Sequence, residues 1–379
     1  MLPQPNPRDR ELAATIVNYS VAAKPGELVY VQCIGEETHG LGRAVQDEAL
    51  RAGATPWVHI VDPRALRAQM MNSSEAQVKR LAQFELKMMK DAACYIGIRG
   101  AGNIFETSGV PREKVDAFDK HFYKPVHLEQ RVKRTRWCVM RYPTPSMAQL
   151  AEKSTDDFAD FYYDVCCIDY ARMAKAALPL KKRMDAAKVM RFTGPGTDLT
   201  MTKDGIPSVP CTGSHNIPDG ECFTAPARES VNGTVHFNCA TTHDGHSFDF
   251  VDLVFKDGKV VEARAANDAQ TKALNQILDQ DKGARHLGEV ALGFNPSVME
   301  PMRDTLFDEK IAGSFHMALG QCYDSAPNGN KSALHWDLVC IQRPEHGGGE
   351  IHFDGKCIRK DGMFVVKDLM GLNPDAFKI

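Results

Sequence analysis

Between residues 28 and 98, short apolar runs rich in β-formers alternate with longer runs of helical spacing, and few folds accept that order. Leu28 to Ile34, Pro56 to Val61 and Ala93 to Ile98 read as strands, while Leu41 to Ala52 and Ser73 to Ala92 read as helices. A helix between two strands carries the chain back along the sheet, so the strands pair in parallel. The first half is therefore expected to be an α/β layer, a largely parallel sheet with covering helices. Leu12, Ile16, Val17 and Val21 give Arg8 to Lys24 helical spacing, and Pro25-Gly26 ends it. Ser73 or Ser74 is placed to cap the long helix. Trp137 to Met140 reads as a further strand, and an apolar stripe from Met147 to Leu180 makes Pro145 to Arg183 helical.

After Val189 the texture changes to glycine-rich β. Lys256-Asp257-Gly258-Lys259, Phe353-Asp354-Gly355-Lys356 and Lys360-Asp361-Gly362-Met363 are hairpin signals. Asn267 to Gln280 is a helix among these strands, and His243-Asp244-Gly245-His246 reads as a surface turn. A length of 379 residues suits two domains. The boundary is expected near residue 187, giving an N-terminal α/β domain, residues 1–186, and a C-terminal α+β domain, residues 187–379.

The net charge of −3 offers no general argument for nucleic acid as a partner. The basic run from His127 to Arg141 reads as a solvated helix surface leading into a strand. Arg99-Gly100-Ala101-Gly102-Asn103-Ile104-Phe105 follows a strand but lacks the third glycine of a dinucleotide loop, so it reads as a plain turn. None of the 11 cysteines forms a Cys-x-x-Cys pair, and most sit in apolar runs, which fits reduced thiols in a cytoplasmic protein. The first ten residues carry no apolar signal core. No apolar run approaches the roughly eighteen residues of a membrane span, so no membrane partner is expected.

The chemistry is concentrated in the second half. If Leu334 to Ile341 is a strand, its period of two puts His335 and Asp337 on one face, and His316 lies nineteen residues earlier. Two imidazoles and a carboxylate suit a divalent transition metal. Glu221 and Glu289 sit in apolar, glycine-containing frames, where a charge is costly unless it is paired or bound to metal. Two readings stay open on the residues alone. His316, His335 and Asp337 could hold one iron ion, as in ring-cleaving non-haem dioxygenases; with the two glutamates they could hold two ions. In the second case two divalent ions and three carboxylates leave a single positive charge, which one bridging hydroxide neutralises. A binding module without activity has nothing in the sequence to recommend it.

Four segments carry a family resemblance: Pro218-Asp219-Gly220-Glu221-Cys222-Phe223-Thr224-Ala225-Pro226, Gly288-Glu289, His316-Met317-Ala318-Leu319-Gly320 and His335-Trp336-Asp337. Together they resemble the metalloaminopeptidases of the aminopeptidase T and aminopeptidase S family. Gly194-Pro195-Gly196-Thr197-Asp198-Leu199 and Phe307-Asp308-Glu309-Lys310-Ile311 fit it as well. The resemblance implies five metal ligands, Glu221, Glu289, His316, His335 and Asp337, holding two divalent ions, whether zinc, cobalt, manganese or magnesium. It implies an active-site tyrosine at Tyr323, with Glu289 or the bridging water as the carrier of the proton to the leaving amine. It further implies short peptide substrates and a homodimer in which the N-terminal domain contributes to the interface and restricts access. One departure is the connection from His316 to His335, shorter than in the family, with Asp324 to Lys331 a compact polar loop.

Overall fold

The strand Cys94–Arg99 stands at the centre of a five-stranded sheet, in the order Thr55–Val61, Leu28–Ile34, Cys94–Arg99, Arg136–Arg141, Asn216–Ile217, and every pairing is parallel. The computed structural model that displays this describes residues 6–243 and 245–377. Val29, Tyr30, Val31 and Cys33 are fully buried in one inner strand and Cys94, Tyr95, Ile96 and Ile98 in the next. Burial on both faces explains the near-continuous apolar runs, and each large side chain removed from water adds about 1.5–3 kcal/mol. Helices His39–Arg51 and Glu75–Asp91 run between the strands as expected. Of the two candidate caps it is Ser74 that closes a capping box with Gln77. The turn after Cys94–Arg99 leads into no helix before Arg112, so the Gly100-Ala101-Gly102 run is a plain loop.

Three expectations need correction. The basic run is not a wholly solvated surface: His127, Gln130 and Arg131 are buried. The Arg131 guanidinium lies over the Trp137 ring at 4.4 Å, so this tryptophan face is taken by a cation–π contact. Pro145 to Arg183 is three helices, Pro145–Leu150, Thr155–Cys166 and Tyr170–Ala186, not one. Ser154 and Asp169 each accept a backbone N–H at the start of the second and third, and a capping side chain marks where a helix begins anew. The apolar stripe runs on through all three and so hid the breaks. Finally, the chain divides into one compact unit ending at Ile168 but including Gly213–Ile217, and another formed by Asp169–Thr212 and the residues from Pro218 onward. Residue 187 is where helix Tyr170–Ala186 ends, and that helix belongs with the second unit, in contact with strands Val209–Cys211 and Glu221–Thr224.

The second unit holds an eight-stranded sheet and a five-stranded sheet, and their strand pairings are antiparallel. The three Asp-Gly hairpins are present, with Asp257, Asp354 and Asp361 at φ 49° and the following glycines near 80°. Both central residues then have positive φ, which Asp-Gly tolerates. Thr241–His243 pairs with His246–Phe248, while Asp244 of the expected turn lies outside the described residues. The α/β layer followed by an α+β part is thus the architecture expected. No helix among the described residues is long and apolar enough to cross a membrane, and all eleven cysteines are unpaired.

Burial, with the charges of Arg131 and Arg99 behind it, lowers the pKa of His127 to about 3. The unfolded chain then binds a proton that the folded one refuses. Stability from this residue is fully present above the ordinary histidine value near 6.5 and is lost as pH falls towards 3. Replacing His127 by glutamine should flatten the acid side of a plot of melting temperature against pH between about 6.5 and 4. An unchanged slope would place the acid sensitivity elsewhere.

Candidate metal centre

The five-stranded sheet of the second unit runs in the order His335–Ile341, Ser314–Gly320, Leu287–Gly293, Glu221–Thr224, Val209–Cys211. Its register aligns the candidate ligands. Glu289 pairs with Ala318, which pairs with Asp337, so the three form one row across the sheet. His316 stands opposite Ala291, Glu221 opposite Gly293, and His335 opposite Gly320. Directly opposed residues share a face, so all five side chains rise from one side. Each has an alanine or glycine opposite it on at least one neighbouring strand, while Val339 also stands opposite His316 and Cys211 opposite Glu221. Gly320 has no alternative, because at φ 100° any Cβ would fall 2.2 Å from the Leu334 carbonyl oxygen.

Each histidine is oriented by its backbone. His316 Nδ1 lies 3.2 Å from the Glu309 carbonyl and His335 Nδ1 lies 2.8 Å from that of Gln321. Nδ1–H donates in both cases, which turns Nε2 towards the carboxylates, the arrangement a metal-ligating histidine uses. His316 Nε2 is 3.3 Å from Glu221 Oε2 and 3.5 Å from Glu289 Oε1. His335 Nε2 is 3.4 Å from Glu289 Oε2 and 3.6 Å from Asp337 Oδ1. Glu289 therefore gives one oxygen to each histidine. The donor atoms fall into two groups, Glu221, Glu309 and His316 on one side and Glu289, His335 and Asp337 on the other, each within 4.8 Å.

These approaches are charge contacts without hydrogen-bond geometry. Glu221 Oε2, His316 Nε2 and Asp337 Oδ1 are buried and have no hydrogen-bond partner. An orphaned buried acceptor costs about 1–3 kcal/mol and more if charged, so several together suit the binding of a cation. Imidazole and carboxylate donors are those that zinc, cobalt and manganese take. The residues present thus fit a divalent metal centre.

Taken by themselves, these side chains shift one another's protonation. Burial raises the Glu289 carboxyl, but contacts with His316 and His335 outweigh this and bring its pKa to about 2. Burial lowers both imidazoles, yet Glu221 and Glu289 lift His316 to about 9, and Asp337 and Glu289 lift His335 to about 10. Glu309, which sequence reasoning did not select, is raised to about 8 by burial against the opposing pull of Lys310. Lys310 stays charged although 1% exposed, because Glu221 and Glu309 overcome its desolvation. The signal for this pair was available. Asp308-Glu309-Lys310 lies between Phe307 and Ile311, the same charged group in an apolar frame that singled out Glu221 and Glu289.

Tyr323 is 48% exposed, and its ring packs in tilted contact at 4.7 Å from His335 and 5.4 Å from Phe223. It therefore stands at the rim of the site beside one candidate ligand. A further donor cluster, Glu350, His352 and Cys357, lies on strands of the other sheet. There Glu350 is held by Lys360 at 2.9 Å and the Cys357 thiol lies 3.4 Å from the Arg359 carbonyl.

A sheet face carrying two oriented histidines and a set of buried carboxylates offers the donor set that a metalloenzyme uses. The chain belongs to the thermophilic metalloprotease family M29, whose description matches residues 7–364. Aminopeptidase PepS of Streptococcus thermophilus is 24% identical over 93% of this chain and 94% of its own length. Aminopeptidase T of Thermus thermophilus is 37% identical over a shorter stretch, 44% of each chain, and aminopeptidase 2 of Geobacillus stearothermophilus is 36% identical over 37% of its length. The structure of AmpT from Thermus thermophilus superposes with a TM-score of 0.79 at 24% identity, over 95% of this chain and 99% of that one. A 2,5-dihydroxypyridine dioxygenase from Pseudomonas putida KT2440 shares the fold at a TM-score of 0.63 and 12% identity, over 97% and 100%.

Loading the centre with metal must displace the imidazole protons, since a ligating histidine is neutral. Both pKa values lie above neutrality, so at pH 7 the metal-free histidines are protonated, and affinity should rise with pH until about 9–10. Titration calorimetry with zinc in buffers of different ionisation enthalpy should report proton release on binding. Binding without proton release would contradict charged histidines in the metal-free site.

Proposed function

We propose that this chain is an aminopeptidase that releases N-terminal residues from short peptides with two divalent ions held by Glu221, Glu289, His316, His335 and Asp337. One observation carries the reading: the two oxygens of Glu289 face different histidines, Oε1 towards His316 and Oε2 towards His335. With one oxygen on the side of each histidine, Glu289 would serve both donor groups of a two-ion centre. When bound, the ions supply a shared water of lowered pKa and a Lewis acid for the scissile carbonyl.

The remaining work falls to side chains. Burial of the carboxylate row keeps bulk water from screening the centre, which strengthens each electrostatic contact. Tyr323, at the rim beside His335, donates a hydrogen bond to the oxygen that gains charge as the carbonyl is attacked, an interaction stronger in the transition state than before it. Glu289 is poorly suited to carry the proton to the leaving amine, because both of its oxygens are engaged. The N-terminal α/β unit, in a homodimer, would restrict access to the centre and so favour short peptides, in a cytoplasmic setting consistent with unpaired cysteines.

The dioxygenase fold likeness raises the alternative of one iron ion on His316, His335 and Asp337. The grouping of donors speaks against it. His316 clusters with Glu221 and Glu309, whereas His335 and Asp337 cluster with Glu289, a grouping that favours two ion positions.

Metal-stripped protein resupplied with zinc, cobalt, manganese or magnesium should hydrolyse a panel of aminoacyl substrates and leave their N-acetylated forms intact. No turnover with any ion would overturn the reading, as would oxygen uptake with an aromatic substrate and iron. Glu289→Ala and His335→Ala should each lower kcat/KM by about 10³-fold or more and reduce bound metal below two ions per chain. Full activity in either variant would remove that residue from the centre. Tyr323→Phe should lower kcat by about 10²-fold with little change in KM; a change confined to KM would assign the tyrosine to ground-state binding.

A further inference from the structure

Lys310 has 1% of its side chain exposed, and its ammonium lies 2.9 Å from Glu221 Oε1 and 3.3 Å from Glu309 Oε1. Burying an ammonium costs several kcal/mol unless it is paired. Both pairings use the same oxygen of each carboxylate. The other oxygens are turned to the centre, Glu221 Oε2 at 3.3 Å and Glu309 Oε2 at 3.8 Å from His316 Nε2.

The backbone holds this arrangement in place. The Lys310 carbonyl accepts from Asn295 N at 2.9 Å, and Asn295 Nδ2 donates to the Asp219 carbonyl at 2.7 Å. Gly220, between Asp219 and Glu221, runs so close to Asn295 that a Cβ there would lie 2.9 Å away. The Glu309 carbonyl in turn receives Nδ1 of His316. Asn295 thus ties Lys310 to the turn that delivers Glu221, and Glu309 orients the histidine at the same position.

We propose that Lys310 is a positioning residue that splits the oxygens of Glu221 and Glu309, one to itself and one to the metal, and so recruits Glu309 as a further donor at the His316 position. The proposal rests on the two-ion reading above. Charge balance agrees with it. Four carboxylates and one ammonium carry three negative charges, the same total that three carboxylates carry without Lys310, so a fourth acidic donor adds no net charge. Without the ammonium, two buried carboxylates in the same cluster repel each other and their second oxygens lose a common direction.

The test counts ions and needs no substrate. Metal-stripped wild type, Lys310→Met and Glu309→Gln are titrated with zinc by calorimetry, with bound metal measured by elemental analysis and folding checked by thermal melts. Wild type should bind two ions per chain. Lys310→Met should keep the ion at Glu289, His335 and Asp337 near wild-type affinity and bind the other about 10- to 100-fold more weakly. Glu309→Gln, which keeps the shape of the side chain, should weaken the same ion alone by about tenfold and carries the test if the lysine variant does not fold. Two ions at unchanged affinity in Glu309→Gln would overturn the proposal, as would equal loss of both ions in a folded Lys310→Met. A wild type that binds one ion would overturn it as well. A wild type that binds two ions but cleaves no peptide would end the aminopeptidase reading and leave this one standing.

Discussion

Charge without solvent is the constraint on which the second unit is organised. Glu221, Glu289, His316 and Asp337 are each less than a tenth exposed, and several of their polar atoms have no hydrogen-bond partner. Like charges so placed push apart unless cations are put among them. In the metal-free protein those cations are the Lys310 ammonium and two imidazolium rings. Divalent ions are stronger counter-charges for the same geometry, and binding energy gained there is also stability of the loaded fold. The four antiparallel strands that hold the candidate ligands in register give the cluster its rigidity, since a slip of one residue in any strand would turn its donors to the other face.

How much of this was legible in the chain depended on the range of the interaction. The parallel sheet and its helices follow from local periodicity, and Leu28–Ile34 and Glu75–Asp91 appear within a residue or two of their expected ends. The five candidate ligands were visible because each sits as an ionisable residue in an apolar frame. The division of Glu289 between two histidines was not, because it comes from the register in which three separate strands pair. Glu309 and Lys310 were read only as part of a family-like segment and not as site residues, since they lie beside a short helix, outside the strands that carry the other donors. The unit boundary was missed for a topological reason: Gly213–Ile217 belongs to the first unit and supplies its edge strand from within the second half of the chain, and no composition change marks such a return.

The likeness to both an aminopeptidase and a 2,5-dihydroxypyridine dioxygenase shows how little a fold decides by itself. Here the deciding features are side chains on one sheet face. Whether His316 and His335 face a common point or opposite oxygens of a glutamate separates one-ion from two-ion chemistry, and the two demand different substrates and co-reactants.

The claim that Glu289 stands between two ion positions is tested most directly by anomalous diffraction at the zinc edge from crystals of the zinc-loaded protein. Two peaks are predicted, one on the His316 side and one on the His335 side of Glu289, about 3.5–4 Å apart. A single peak shared by His316, His335 and Asp337, with Glu221 turned away, would contradict the account.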